Sequence, residues 1–231
     1  MRPISAWYTL RAAMAMEEIL EQRNSAGQVV ARLTRVDGEA HGEALAFDEQ
    51  GRVRQRSNFV HGRVDGEVAT FGETGLPVSR SMFRNGVQEG TTETYDPEGR
   101  VAQRVAYVGG RMEGEMHVFV EGKLRSRVTY VHGEMTGPAV TLDAEGREVA
   151  RLTYVAGVLE GPAAWFHEGV LVRTGACHAN EIEGDIVEYF PSGAVRERGP
   201  FVAGKRHGEW VTYDESGRER ARARFVDGAK A

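Results

Sequence analysis

The stretch Gly42-Glu43-Ala44-Leu45-Ala46-Phe47-Asp48-Glu49-Gln50-Gly51, continued by Arg52 to Val60 and then His61-Gly62, decides the fold. Glu43 to Phe47 has the length of one short strand, and Asp48-Glu49-Gln50-Gly51 carries the acid and glycine signals of a turn. Arg52 to Val60 reads as the return strand, and His61 to Asp65 as a link to the next unit. Helix competes poorly, because the recurring glycines would break every candidate segment.

The same text returns along the whole chain. Gly42, Gly66, Gly90, Gly114, Gly137, Gly161, Gly184 and Gly208 are spaced by 24, 24, 24, 23, 24, 23 and 24 residues. A second set runs Gly51, Gly75, Gly99, Gly122, Gly146, Gly169, Gly193, Gly217, and a third Gly62, Gly86, Gly110, Gly133, Gly157, Asn180, Gly204, Gly228. With Gly27 and Gly38 these sets hold 25 of the 29 glycines. Such regularity marks backbone with φ > 0, and Asn180 replaces glycine with the residue that next best tolerates that region. The chain is a repeat array, so function is to be sought on a surface and not in a pocket.

Folding the specimen hairpin about its turn predicts Phe47 opposite Arg52, Leu45 opposite Arg54 and Glu43 opposite Arg56. The same arithmetic pairs Glu67 with Arg80, Glu115 with Arg127, Asp185 with Arg198 and Glu209 with Arg222. An arginine column emerges: Arg32, Arg56, Arg80, Arg104, Arg127, Arg151, Arg198, Arg222. Two further columns are mostly aromatic. The first is Phe47, Phe71, Tyr95, Phe119, Leu142, Phe166, Tyr189, Tyr213, and the second Phe59, Phe83, Tyr107, Tyr130, Tyr154, Cys177, Phe201, Phe225. Alternation puts these two columns on opposite faces, unless a bulge in the return strand shifts one of them. Stacking such hairpins brings each column into register about 10 Å apart, which is how a hairpin too small to fold alone finds its apolar partner.

Composition narrows the function classes. The 231 residues are 41% apolar and carry 34 acids against 29 bases, a net charge of −5 with both signs spread along the chain. No basic block would supply the phosphate contacts of a nucleic-acid binder. The lone Cys177 excludes an intramolecular disulfide and a multi-cysteine metal site, and its column position reads as a buried thiol. Arg11 interrupts the apolar run near the start, which argues against a signal peptide, and the expected location is the cytoplasm. His61 and His132 share one repeat position, and His41 and His207 each precede a leading glycine. Same-column residues lie about 10 Å apart, too far to share a metal bound at about 2 Å. No nucleophile elbow, phosphate loop or paired-carboxylate motif is present. The expectation is therefore no catalysis, no metal and no cofactor.

Ile4 to Arg23 holds helix formers without glycine or proline, so a short amphipathic helix is expected to cover the first edge of the sheet. Residues 1–26 then form a cap with a degenerate half-repeat, and 27–231 the array, with eight full units from Gly42.

Gly208-Glu209-Trp210-Val211-Thr212-Tyr213, followed by Asp214-Glu215-Ser216-Gly217 and by Arg224-Phe225-Val226-Asp227-Gly228, resembles the MORN repeat. More closely it resembles the bacterial MORN-variant repeat of YwqK-type antitoxins, over residues 42 to 228. Most units depart from that pattern, since only Trp210 occupies the family's tryptophan position. The resemblance implies an all-β, elongated, twisted antiparallel sheet of stacked hairpins. It also implies an immunity or antitoxin protein that neutralises a cognate toxin by direct binding. Tyr95, Phe119, Trp165, Phe166, His167, Tyr189, Trp210 and Tyr213 are the candidate anchors, because large aromatics suit an interface core. The other reading is a scaffold that binds anionic membrane lipid or self-assembles, including a homodimer through the C-terminal edge. The arginine column serves that reading as an anionic-lipid stripe, whereas acids facing the arginines favour mutual neutralisation. The unit from Gly161 to Gly184, with Trp165, Phe166, His167, Cys177, His178 and Asn180, departs furthest from its neighbours.

Overall fold

The computed structural model describes residues 16–231. Within them, 23 strands form one elongated antiparallel sheet. Between the two end strands, each long strand pairs with the long strand before it and the one after it, so the chain runs as a continuous meander. The eight hairpins read from the sequence are preceded by another of the same kind, Glu17–Arg23 with Val29–Val36. The helix expected over Ile4 to Arg23 is thus corrected at its end, where Glu17–Arg23 is a strand; the rest of that segment lies outside the described residues. Pairing overrides helix propensity here: Leu20 faces Leu33, and Glu21 faces Arg32 at an ion-pair distance of 3.0 Å.

All 25 glycines of the three sets have positive φ, between 71° and 107°, and so does Asn180, at 71°. The sets do different work. Gly51 closes the first turn: its N–H donates to the Asp48 carbonyl at 2.9 Å, while the Asp48 carboxylate accepts from the N–H of Gln50 and of Arg52. Gly62 is the second of two consecutive positive-φ residues, after His61 at 48°, which makes His61-Gly62 a two-residue primed turn. His61 to Asp65 is therefore not a link that leaves the sheet, because Arg63–Val64 pairs straight back onto Val60 and Phe59. Gly42 and its equivalents sit where Ala40 faces Arg35 but Ala44 faces Leu33, a bulge that only a positive-φ residue fills without strain. The two 23-residue spacings also have a cause. Those units close the first turn through Glu121-Gly122 and Glu168-Gly169, which leaves four residues, Val120 to Lys123, between the partners Phe119 and Leu124. Elsewhere five residues, such as Asp48 to Arg52, lie between the partners.

The cross-strand register differs from the simple fold-back by two residues. Glu43 faces Asn58 and Leu45 faces Arg56, because the turn holds one more residue than assumed and Arg54 is bulged out beyond it. Either shift alone would turn the return strand over; together they restore its parity. The two aromatic columns accordingly lie on opposite faces. The Arg198 guanidinium sits over Tyr213 on one face, while Trp210 packs edge-on against Phe201 and Phe225 on the other. The core is thin and made from unit to unit. Among the large side chains of the described residues, Ile186 and Trp210 are the ones fully buried.

Candidate functional site

One face of the sheet carries an alternating ladder of arginine and aromatic side chains. The arginine of one unit lies over the first-column aromatic of the next: Arg32 over Phe47, Arg104 over Phe119, Arg151 over Phe166 and Arg198 over Tyr213, at 5.6 to 6.0 Å. These aromatics are half-buried, so each keeps part of its ring at the surface. Grooves open at one register position in three units, beside Arg56 and Phe71 (about 670 Å³), Arg32 and Phe47 (about 350 Å³), and Arg198 and Tyr213 (about 400 Å³). Each is bounded by an arginine, an aromatic ring and a glycine turn, so the repeat builds one surface module several times.

The charge pairing on this face differs from the expected one because the register does. Of the five expected acid–arginine pairs, Glu67–Arg80 lies at 3.9 Å and Glu209–Arg222 at 2.7 Å. The arginines otherwise find acids on the neighbouring strand or on their own: Arg32 with Glu21, Arg56 with Glu67, Arg104 with Glu93, Arg151 with Glu148. Among the described residues, Arg127 and Arg198 have no carboxylate at ion-pair distance. Tyr95 donates its hydroxyl to Glu93 at 2.7 Å, and that bond, with one from Arg104, holds the Glu93 carboxyl below its ordinary pKa.

The eight anchors chosen from the sequence do not share a surface. Tyr95, Phe119, Phe166, Tyr189 and Tyr213 lie on the arginine face, with the Tyr189 hydroxyl 3.0 Å from Thr174 Oγ1. Trp165 and Trp210 lie on the opposite face, and His167 is exposed at the end of its strand. Trp210 is 2% exposed, with its indole N–H donated to the Pro200 carbonyl at 3.1 Å, so it is core and not a surface anchor.

Around those tryptophans the opposite face holds a group that sequence reasoning missed. Glu188, itself 5% exposed, is gripped by Arg173 and Arg196, each at 2.5 Å. Burial pushes its carboxyl up, but the hydrogen bonds from Arg196 and Arg173 outweigh that and its pKa lies below the ordinary value. Arg173 also lies 5.8 Å over Trp165. Directly across the ladder from Glu188 is Glu197, which is ion-paired with Arg206, and Arg206 stacks 3.9 Å from the Trp210 ring. The available signal was the four glycines outside the three sets. Two of them, Gly175 and Gly199, lie beneath Ile186 and Trp210.

Cys177 is buried, and burial raises its thiol pKa, which keeps it protonated. His178 Nδ1 lies 3.0 Å from Glu160, a contact that raises the histidine pKa and lowers that of Glu160.

No family model matches the chain, and no curated protein does. Among solved structures, TarM is similar at 10% identity over 48% of this chain and 18% of its own, with a TM-score of 0.25. A chain of the TcdB2-TccC3-Cdc42 structure is similar at 12% identity over 90% of this chain and 12% of its own, TM-score 0.23. A porin-like protein from Bacteroides uniformis is similar at 11% identity over 93% and 92% of the two chains, TM-score 0.17. The chain thus spans less than a fifth of the first two. Similarities this low carry no argument about what the protein does.

Proposed function

We propose that this chain is a non-catalytic, cytoplasmic protein-binding array of MORN-variant repeats that acts as an immunity or antitoxin protein. On this reading the partner toxin lies along the arginine–aromatic face. The supporting observation is the ladder itself: half-exposed rings pinned by guanidinium groups, repeated along one face with grooves between them. Aromatic and arginine side chains are the ones that dominate binding energy at protein interfaces. A lipid-binding stripe has weaker support, because six of the eight column arginines lie against carboxylates and leave little uncompensated charge.

The test is co-expression with the product of the adjoining reading frame. A stable complex that abolishes that product's toxicity is expected, weakened roughly tenfold or more by Tyr213→Ala or Phe166→Ala, as hot-spot truncations do. No complex with any neighbouring product, or one indifferent to both substitutions, would overturn the proposal.

A further inference from the structure

The Trp165–Arg173–Glu188–Arg196 group lies at a position where the other units place neutral side chains, most of them small. The equivalent cross-strand pairs are Ala46 with Gln55, Thr70 with Ser79, Thr94 with Gln103, Val118 with Ser126, Thr141 with Ala150 and Thr212 with Ala221. Two consecutive hairpins break that column, with Trp165 opposite Arg173 and Glu188 opposite Glu197. Glu188 faces Arg173 on one side and the like charge of Glu197 on the other; the first pairing is favourable and the second destabilising, and burying ion pairs seldom adds stability over an apolar or small neutral pair. The arginines thus compensate the buried carboxylate without a net gain over the neutral pairs of the other units.

Its exposure is one-sided. The carboxylate side chains are sunk, Glu188 at 7% and Glu197 at 16% accessible, whereas Arg173 and Arg196 reach solvent at 36% and 53%. The surface offered outward is thus two guanidinium groups beside a half-buried indole, held from below by one shared carboxylate. Arg196 uses one Nη2–H on Glu188 and Arg173 its Nε–H and one Nη2–H, out of the five N–H donors of each guanidinium. Three arginines (173, 196 and 206) against two glutamates also leave the group net positive. The same two hairpins are closely packed to each other and to the next, with Ile186 seated on Gly175 and Trp210 of the following hairpin seated on Gly199. A recognition group held on rigid strands by buried partners is the arrangement that preorganised binding needs.

We propose that this group is a docking site for acidic side chains of a partner protein, in which a carboxylate bridges Arg173 and Arg196 against the Trp165 ring. The inference rests on the reading of the chain as protein-binding, but it uses the face opposite the arginine–aromatic ladder. Charge-assisted hydrogen bonds from the remaining N–H groups of the two guanidiniums supply the recognition, and the indole supplies an apolar wall.

The test uses the whole chain, ¹⁵N-labelled, titrated with a peptide of alternating glutamate and glycine, a matching lysine–glycine peptide, and inorganic phosphate. The acidic peptide is expected to shift the Trp165 indole and the Arg173 and Arg196 side-chain signals, with affinity cut at least tenfold by Arg196→Gln and left intact by Arg80→Gln. The far-UV circular dichroism of Arg196→Gln checks that the sheet persists, and Trp165→Phe offers a second route that leaves the ion pairs in place. Four results would overturn the site: no binding up to about 10 mM peptide, shifts that map to the Arg32–Arg104 stripe, binding unchanged in Arg196→Gln, or phosphate binding as tightly as the peptide. Any of these would leave the complex with a neighbouring gene product standing, whereas loss of that complex would remove the protein-binding reading itself.

Discussion

Replacing Gly199 by alanine probes the packing beneath the buried Trp210. Gly199 has ordinary strand φ, so alanine adds no backbone strain and would by itself stabilise by about 0.4–1 kcal/mol through the unfolded chain. Its Cβ, however, would lie 2.5 Å from Cγ and Cδ2 of Trp210, whereas ordinary contact begins at 3.4 Å, so the ring must retreat by 0.9 Å. Retreat is blocked. Arg206 stacks 3.9 Å from the ring, Phe201 and Phe225 flank it at 5.6 and 6.3 Å, and the indole N–H is bonded to Pro200. Overpacking of this kind costs about 1–3 kcal/mol, which outweighs the gain from the unfolded state. Trp210→Ala alone should cost about 3–5 kcal/mol. In that background the added methyl meets a cavity, so Gly199→Ala should become neutral or stabilising, a coupling of about 1–3 kcal/mol. Urea midpoints with amide exchange in Val195–Val202 and Gly208–Tyr213 read the effect, which should concentrate in those strands because repeat arrays open locally. A neutral or stabilising Gly199→Ala in the wild-type background would refute the reasoning.

Other consequences can be checked in the same way. Gly175→Ala should cost less than Gly199→Ala, although its Cβ comes within 2.1 Å of Ile186 Cδ1, because that clash is with the rotatable end of a side chain; equal or greater loss in urea would contradict this. Glu188→Gln should destabilise by about 1–3 kcal/mol at neutral pH through weaker charged hydrogen bonds, and the difference should shrink as pH falls through the lowered Glu188 pKa in a denaturation series. The Glu160–His178 pair should act only in a window. The Glu160 contribution is lost as pH falls through its lowered pKa, and that of His178 is lost as pH rises through its raised one, so His178→Ala should flatten the alkaline side of the Tm–pH profile. Asp96→Ala removes acceptors for the N–H of Glu98 and Arg100 and should lower Tm, while Glu98→Ala, which leaves those bonds in place, should not.

The turns were the most legible part of the sequence, because a positive φ admits few residues and glycine advertises it. The 23- and 24-residue spacings even carried the difference between two turn lengths. Strand parity was legible as well, but only because an extra turn residue and the bulge at Arg54 compensate, and neither leaves a sequence signal of its own. The ion pairs were not legible, since a two-residue displacement changes every facing partner while leaving each residue on its face. Glu17–Arg23 looked helical because its local propensity is helical, and the edge of Val29–Val36 overrode it. Aromatic identity alone could not separate core from surface. Trp210 and Tyr213 are three residues apart, yet one is sealed beneath Arg206 and the other borders an open groove. Glu188 escaped notice because a glutamate in a charged, exposed-looking strand gives no hint that two arginines from different strands converge on it.

Hydroxyl-radical footprinting of aromatic side chains, in the complex with the neighbouring gene product against the free chain, tests the central claim most directly. The predicted result is protection of Phe47, Phe119, Phe166, Tyr189 and Tyr213, with Tyr107, Tyr130 and Tyr154 on the other face unchanged. Protection of Tyr107, Tyr130 and Tyr154 with the first column left reactive would contradict the assignment of the arginine–aromatic face as the binding surface.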